Sequence, residues 1–170
     1  MADKSRAYYE EELRGIEPCS EEEMRGLVPA VLRQDRAARD RFIEGNLHRV
    51  YDAAAFFTTE AIPFMDLVQE GNLRLLELMN TLKEDCGSYG TLLNREINEA
   101  MEHYVTEEED SLRAKEELKV RLNVIDEVCV RLAEEYGREA TAEEVAEKMQ
   151  MSVEDVRYLM KIALSAIKRD

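Results

Sequence analysis

A serine or threonine followed three residues later by glutamate recurs along this chain, at Ser20 and Glu23, at Thr106 and Glu109, and at Thr141 and Glu144. At that spacing the hydroxyl accepts from a free backbone N–H of a first helical turn while the carboxylate reaches back, so each pair marks a helix start. Ser152, ahead of Val153, Glu154 and Asp155, is a weaker form of the same signal. Breakers are scarce, with 7 glycines and 3 prolines in 170 residues. Leu, Ala, Glu and Arg abound instead, and these helix formers predict an all-α fold.

Between these signals the pattern predicts eight or so helices in two domains. A short helix covers residues 5–14. A second covers 20–34 and contains Pro29, which removes a backbone donor and is expected to kink or break it. A third starts after Asp35 as N-cap and reaches residue 57, with Phe42, Ile43, Leu47, Val50, Tyr51 and Ala54 at helical spacing. A fourth runs over 63–82 with Pro63 as its first residue. After a loop holding Cys86, Gly87, Ser88 and Gly90, a fifth helix spans 89–104 and a sixth runs from Thr106 to Tyr136. Two short helices, 141–149 and 152–168, close the chain. The acidic run 106–110 is the expected boundary, giving domains 1–105 and 106–170.

The formal net charge of −15, from 38 acidic and 23 basic residues, sets the chain against DNA phosphates unless its basic groups are segregated. Cys19, Cys86 and Cys129 form no CxxC pair, so neither a disulfide framework nor a zinc site is expected. No run reaches the length of a membrane span, and the opening MADKSRAYYEEEL lacks the apolar core of a signal peptide. A reducing cytoplasm is the expected setting, with no membrane partner.

The fourth helix has an outer face that admits two readings, an ordinary solvated surface or a docking surface. On a helical wheel Phe64, Leu67, Val68, Gly71, Leu75, Leu78 and Met79 form one apolar stripe, the core face. The opposite face mixes Asp66, Gln69, Glu70 and Glu77 with Leu73 and Leu76, and Asn72 sits on its flank. Single exposed leucines are common. Apolar anchors inside a polar rim also suit a helix that docks another helix.

The run Asp66-Leu67-Val68-Gln69-Glu70-Gly71-Asn72, within residues 62–82, resembles the polymerase-binding helix of bacterial sigma-70-type RNA polymerase sigma factors. Residues 38–57, with Ile43-Glu44-Gly45-Asn46-Leu47, are similar to the preceding helix of that family. Residues 9–16 and 20–34 keep its order and spacing. Residues 123–167, best along Tyr136-Gly137-Arg138-Glu139-Ala140-Thr141-Ala142-Glu143-Glu144-Val145-Ala146, resemble its three-helix domain. The resemblance thus implies a multi-helix sigma-like core followed by a small three-helix domain. It also implies that Asp66, Gln69, Glu70, Asn72, Leu73 and Leu76 contact the clamp coiled coil in the largest subunit of RNA polymerase core.

Residues 84–110 depart from the family. There, family members capture unstacked promoter bases on aromatic rings and hold phosphates with basic groups; a stacked base contributes roughly 1–3 kcal/mol. Here Tyr89 is the one matching aromatic, Leu92 and Leu93 replace a tryptophan pair, and Glu96 stands at a base-reading position. Nine acidic residues face Arg95 alone, a net −8 over the stretch. Tyr89, Leu92, Arg95 and Glu96 are therefore a weak candidate DNA surface, with promoter DNA engaged weakly or only within the holoenzyme. The family's final promoter-reading domain is not expected within these 170 residues.

Other constellations carry less. Glu99, His103 and Glu107 would share a helical face, but the helix start expected at Thr106 separates them, and no metal site is assigned. The last two helices resemble a helix-turn-helix unit, offering Arg157, Lys161, Lys168 and Arg169 beside Glu154 and Asp155. A small packed domain is the simpler reading of them. No phosphate loop, nucleophile motif or paired catalytic carboxylate appears, so the sequence predicts no enzyme, no catalytic residue and no cofactor. The expected function is a sigma-70-like initiation factor with weakened promoter recognition. The rivals are a polymerase-binding decoy that reads no DNA and a purely structural helical module.

Overall fold

The computed structural model describes residues 4–167, with side chains through residue 163. Lys168 and Arg169, counted above on the last helix, lie outside the described residues. Eight α-helices and no strand occur among the described residues: α1 Lys4–Leu13, α2 Glu21–Leu32, α3 Arg36–Glu44, α4 Leu47–Phe57, α5 Phe64–Leu78, α6 Tyr89–Tyr136, α7 Ala142–Met149 and α8 Val153–Ile167. The chain divides into two compact units between Glu109 and Asp110, inside α6. No described helix is long and apolar enough to cross a membrane.

Short polar side chains set several helix starts, because the first N–H groups of a helix need acceptors. Ser20 Oγ accepts from Glu23 N at 3.1 Å, Asp35 Oδ1 from Ala38 N at 2.9 Å, and Ser152 Oγ from Asp155 N at 3.1 Å. At Thr141 the full reciprocal box forms: its hydroxyl accepts from Glu144 N while its own N–H donates to Glu144 Oε2 at 2.8 Å.

Thr106 carries the same signal and starts nothing. Its hydroxyl donates to the Glu102 carbonyl at 2.9 Å, four residues back within an unbroken α6. No glycine or proline lies between Gly90 and Gly137 to end the helix, so the two predicted helices are one. The expected third helix is two. Gly45 and Asn46 separate α3 from α4, where the Gly45 carbonyl accepts from Cys19 N at 2.8 Å and a Cβ on Gly45 would sit 2.2 Å from Cys19 Sγ. Asn46 is fully buried and donates to the Phe42 carbonyl at 2.7 Å. α2 runs through Pro29 without the expected break, held by buried Met24, Val28 and Val31. Pro63 is the N-cap of α5 rather than its first residue, and α5 ends at Leu78, four residues short of the expected limit.

The first unit packs Met24, Val28 and Val31 of α2 with Phe42, Val50, Leu67, Leu75, Leu93, Ile97 and Met101 in one core. Burial of each large side chain contributes roughly 1.5–3 kcal/mol. The second unit has its own core, built from Leu132 of α6, Val145 and Ala146 of α7 and Val156 of α8, with Met149, Val153 and Met160 packed against it. Leu159 is buried as well, and Ala163 is half-buried.

Candidate partner-docking site

α5 begins with Pro63 in extended backbone (ψ 144°) and carries Asp66 in its first turn, where a carboxylate complements the helix dipole. Its inward residues Phe64, Leu67, Val68, Gly71, Leu75 and Leu78 are buried. Gly71 permits the close approach of α4 and α6: a Cβ there would lie 2.8 Å from Val50 Cγ1 and 2.5 Å from Met101 Cε. The opposite face keeps Gln69, Leu73 and Leu76 in solvent, the two leucines at 51% and 44% exposure. Asp66, Glu70 and Asn72 are half-buried along its edges. Five of the six residues expected to bind a partner therefore lie on the outward half of one helix, and Asn72 stands at its edge with its amide oxygen buried.

α6 borders one edge. Arg74 pairs with Glu96 of α6 and, at 3.1 Å, with Glu77; Glu96 also accepts from Arg95 at 2.7 Å. The Arg95 and Arg74 bonds hold the Glu96 carboxyl below the usual range. The groove beside them is lined by Glu70, Glu77, Glu96, Glu99 and His103. Burial pushes the Tyr104 hydroxyl up, and Asp66, Glu108 and Glu70 add to the rise, a sign of the negative field along this edge.

α1 borders the other edge through aromatic rings. Tyr9 stacks on Tyr51 with centroids 6.4 Å apart and meets Phe64 edge-on at 6.2 Å, while the Arg6 guanidinium lies 5.6 Å from the Tyr51 centroid. Burial raises the Tyr9 hydroxyl above its ordinary range, and the Asn72 amide pulls the other way. Tyr9 Oη and Asn72 Oδ1 are nonetheless buried without a partner in hydrogen-bonding geometry.

The expected DNA surface looks different. Tyr89 is 1% exposed, and its hydroxyl donates to the carbonyls of Lys83 and Glu84, both at 2.9 Å. Its ring is core, four residues before Leu93 and eight before Ile97 on the same stripe, and offers no face for a base. Leu92 is half-buried against the core, and Glu96 is held by two arginines. Arg95 is exposed but paired with Glu96 and, at 3.8 Å, with Glu99. Because α6 continues through Thr106, Glu99, His103 and Glu107 do share a face; His103 Nδ1 lies 3.4 Å from Glu107 Oε2, and no three-ligand cluster occurs among the described residues. In the second unit Arg157 is paired with Glu143.

Two residues that position the site, Glu21 and Arg74, went unnoticed in the sequence, and Gly71 was placed on the core face without its spacing role. Glu21 of α2 accepts from Tyr89 N at 2.7 Å and Gly90 N at 2.9 Å, capping α6 from 68 and 69 residues away. Those N–H donors, Gly90 first, hold its carboxyl below the ordinary range. Arg74 ties α5 to α6, and Gly71 sets their separation. A lone arginine or a mid-helix glycine carries no local mark of such a role.

These features describe a helical bundle that presents one mixed carboxylate, amide and leucine face. Residues 121–168 match the family described as sigma-70 region 3. The chain is 31% identical to the RNA polymerase sigma factor SigA of a Bacillus species over 138 residues, covering 81% of this chain and 37% of that protein. Against SigA of Clostridium acetobutylicum it is 31% identical over 156 residues, covering 91% of this chain and 41% of the relative. Against SigA of a Synechocystis species it is 29% identical over 130 residues, covering 76% and 31%. The chain is thus similar to sigma-70 family proteins along most of its length, and it spans about two fifths or less of the length of these relatives.

Proposed function

We propose that this protein acts in transcription initiation by binding RNA polymerase core, docking the outer face of α5 on the clamp coiled coil of the largest subunit. The carrying observation is the exposure of Leu73 and Leu76 among Asp66, Gln69 and Glu70 on one uncovered helix face. Carboxylates suit a basic helical hairpin, and the leucines supply anchors at the centre, where interface energy concentrates. Titration of purified core polymerase with the protein tests this. Glu70→Lys reverses a charge and Leu76→Asp places one in the contact. Each is expected to weaken binding about 30-fold, the equivalent of about 2 kcal/mol, with helix content unchanged. Unaltered affinity in both variants would falsify the docking surface.

Promoter reading on this proposal is weak. The second reading, a decoy that occupies polymerase without reading DNA, is favoured by the inward Tyr89 ring and the paired Glu96. Run-off transcription separates the two. Specific initiation by core plus this protein supports an initiation factor, whereas competition with a promoter-reading sigma factor and no initiation supports a decoy.

A further inference from the structure

We infer that the partner-binding surface does not stop at α5 but continues onto α1, with Tyr8 as its outer anchor; this rests on the docking reading above. α1 has no apolar stripe, and Leu13 is its one fully buried residue. Of its two adjacent tyrosines, Tyr9 joins the rings of Tyr51 and Phe64, while Tyr8, about 100° further round the helix, stays 68% exposed. The Glu12 carboxylate, one turn on, pushes the Tyr8 hydroxyl above its ordinary range.

Tyr8, Tyr9, Glu12 and Met65 line a groove between α1 and the start of α5. Met65, Gln69, Asn72 and Leu76 follow i, i+4, i+7 and i+11 spacing, one stripe along the α1 side of α5. At 1.5 Å per residue that stripe is about 16 Å long. A straight helix laid on it meets Leu76 at one end and the shelf of Met65 and Tyr8 at the other. Tyrosine suits such a position, because it brings a large rigid area at low entropic cost and is enriched among residues that dominate interfaces.

Charge complementarity selects the occupant. Asp66, Glu70 and Glu77 run along the outer face of α5, Glu12 and Lys4 both line the groove, and the Arg74 charge is already matched by Glu77 and Glu96. A basic helix fits, and the same helical hairpin of polymerase fills both parts of the surface.

The test measures the affinity of the full chain for core polymerase with Tyr8→Ala, Tyr8→Phe, Leu76→Asp and the exposed control Tyr158→Ala. Tyr8→Ala is expected to weaken binding about tenfold, with Tyr8→Phe and Tyr158→Ala staying near wild type. If Leu76→Asp weakens binding and Tyr8→Ala does not, the extension onto α1 is overturned and docking on α5 stands. If Leu76→Asp itself leaves affinity unchanged, the docking reading falls and the extension with it.

Discussion

The Glu21 carboxylate closes the N-terminus of α6: Oε1 accepts from Tyr89 N and Oε2 from Gly90 N, with Ser88 Oγ donating to Oε2 at 3.2 Å. Glu21→Ala removes this cap and is expected to lower the stability of the first unit by about 1 kcal/mol, the usual worth of a lost helix cap in a partly solvated site. Urea unfolding monitored by circular dichroism reads the change. The native carboxyl is held low, so its contribution is full above the unfolded value near about 4.3 and is lost as pH falls through the lower folded value. The gap between wild type and Glu21→Gln should therefore close on acidification below about pH 4. A gap that widens there assigns the effect to something other than this carboxylate.

Gly71→Ala sets two effects against each other. Alanine gains about 1 kcal/mol of helix propensity, yet its Cβ would stand 2.8 Å from the stiff Val50 side chain. Overpacking of this kind costs about 1–3 kcal/mol, so the variant should be less stable despite the better helix former. Val50→Ala opens the space, and the pair should be coupled rather than additive in a double-mutant cycle. Strict additivity would show that the two side chains do not compete for that volume.

The helix starts show what a sequence discloses. Thr141 with Glu144 and Ser20 with Glu23 announce their helices because the signal is local and follows a turn. Thr106 with Glu109 repeats the letters inside a helix that nothing interrupts, where the hydroxyl turns back to the Glu102 carbonyl. The break at Gly45 has a local mark in the Gly45-Asn46 pair, but the apolar spacing across it reads as one helix, and the side chain packed against Gly45 is Cys19, 26 positions upstream. The outer face of α5 was legible from helical spacing, since Leu73 and Leu76 sit opposite Leu67, Gly71 and Leu75. The inward ring of Tyr89 was also legible, from its spacing to Leu93 and Ile97, but a family likeness pointed the other way. The Glu21 cap was not, because it joins segments far apart in the chain.

In the second unit the Glu144 carboxyl is held down to about 2, first by Arg138 and then by the Thr141 N–H. Carbon-detected titration of Glu144 should give a midpoint near that value, moving toward the ordinary 4.3 or so in Arg138→Ala. Its support for α7 is present above the ordinary carboxylate range and disappears as pH falls toward about 2. An unmoved midpoint in Arg138→Ala would remove the arginine as the cause.

Cys19 is buried beneath Gly45, and burial pushes its thiol up to about 11. At pH 8 a thiol reagent should modify the half-exposed Cys86 and Cys129 well before Cys19, which reacts only with unfolding. Peptide mapping of the modified protein checks the order, and early labelling of Cys19 would contradict the packing at Gly45.

The pairing of Arg74 and Arg95 with Glu96 has an ionic-strength consequence. Ordinary nucleic-acid surfaces hold their guanidiniums free, and added salt weakens binding because phosphates and counterions compete for them. Along the start of α6 the guanidiniums are already neutralised by carboxylates of the same chain, and the surplus charge is negative. Approach of a phosphate backbone to this surface is opposed over a screening distance of about 10 Å at 0.1 M salt. Here added electrolyte shortens the reach of a repulsion instead of an attraction, so the sign of the salt dependence is inverted.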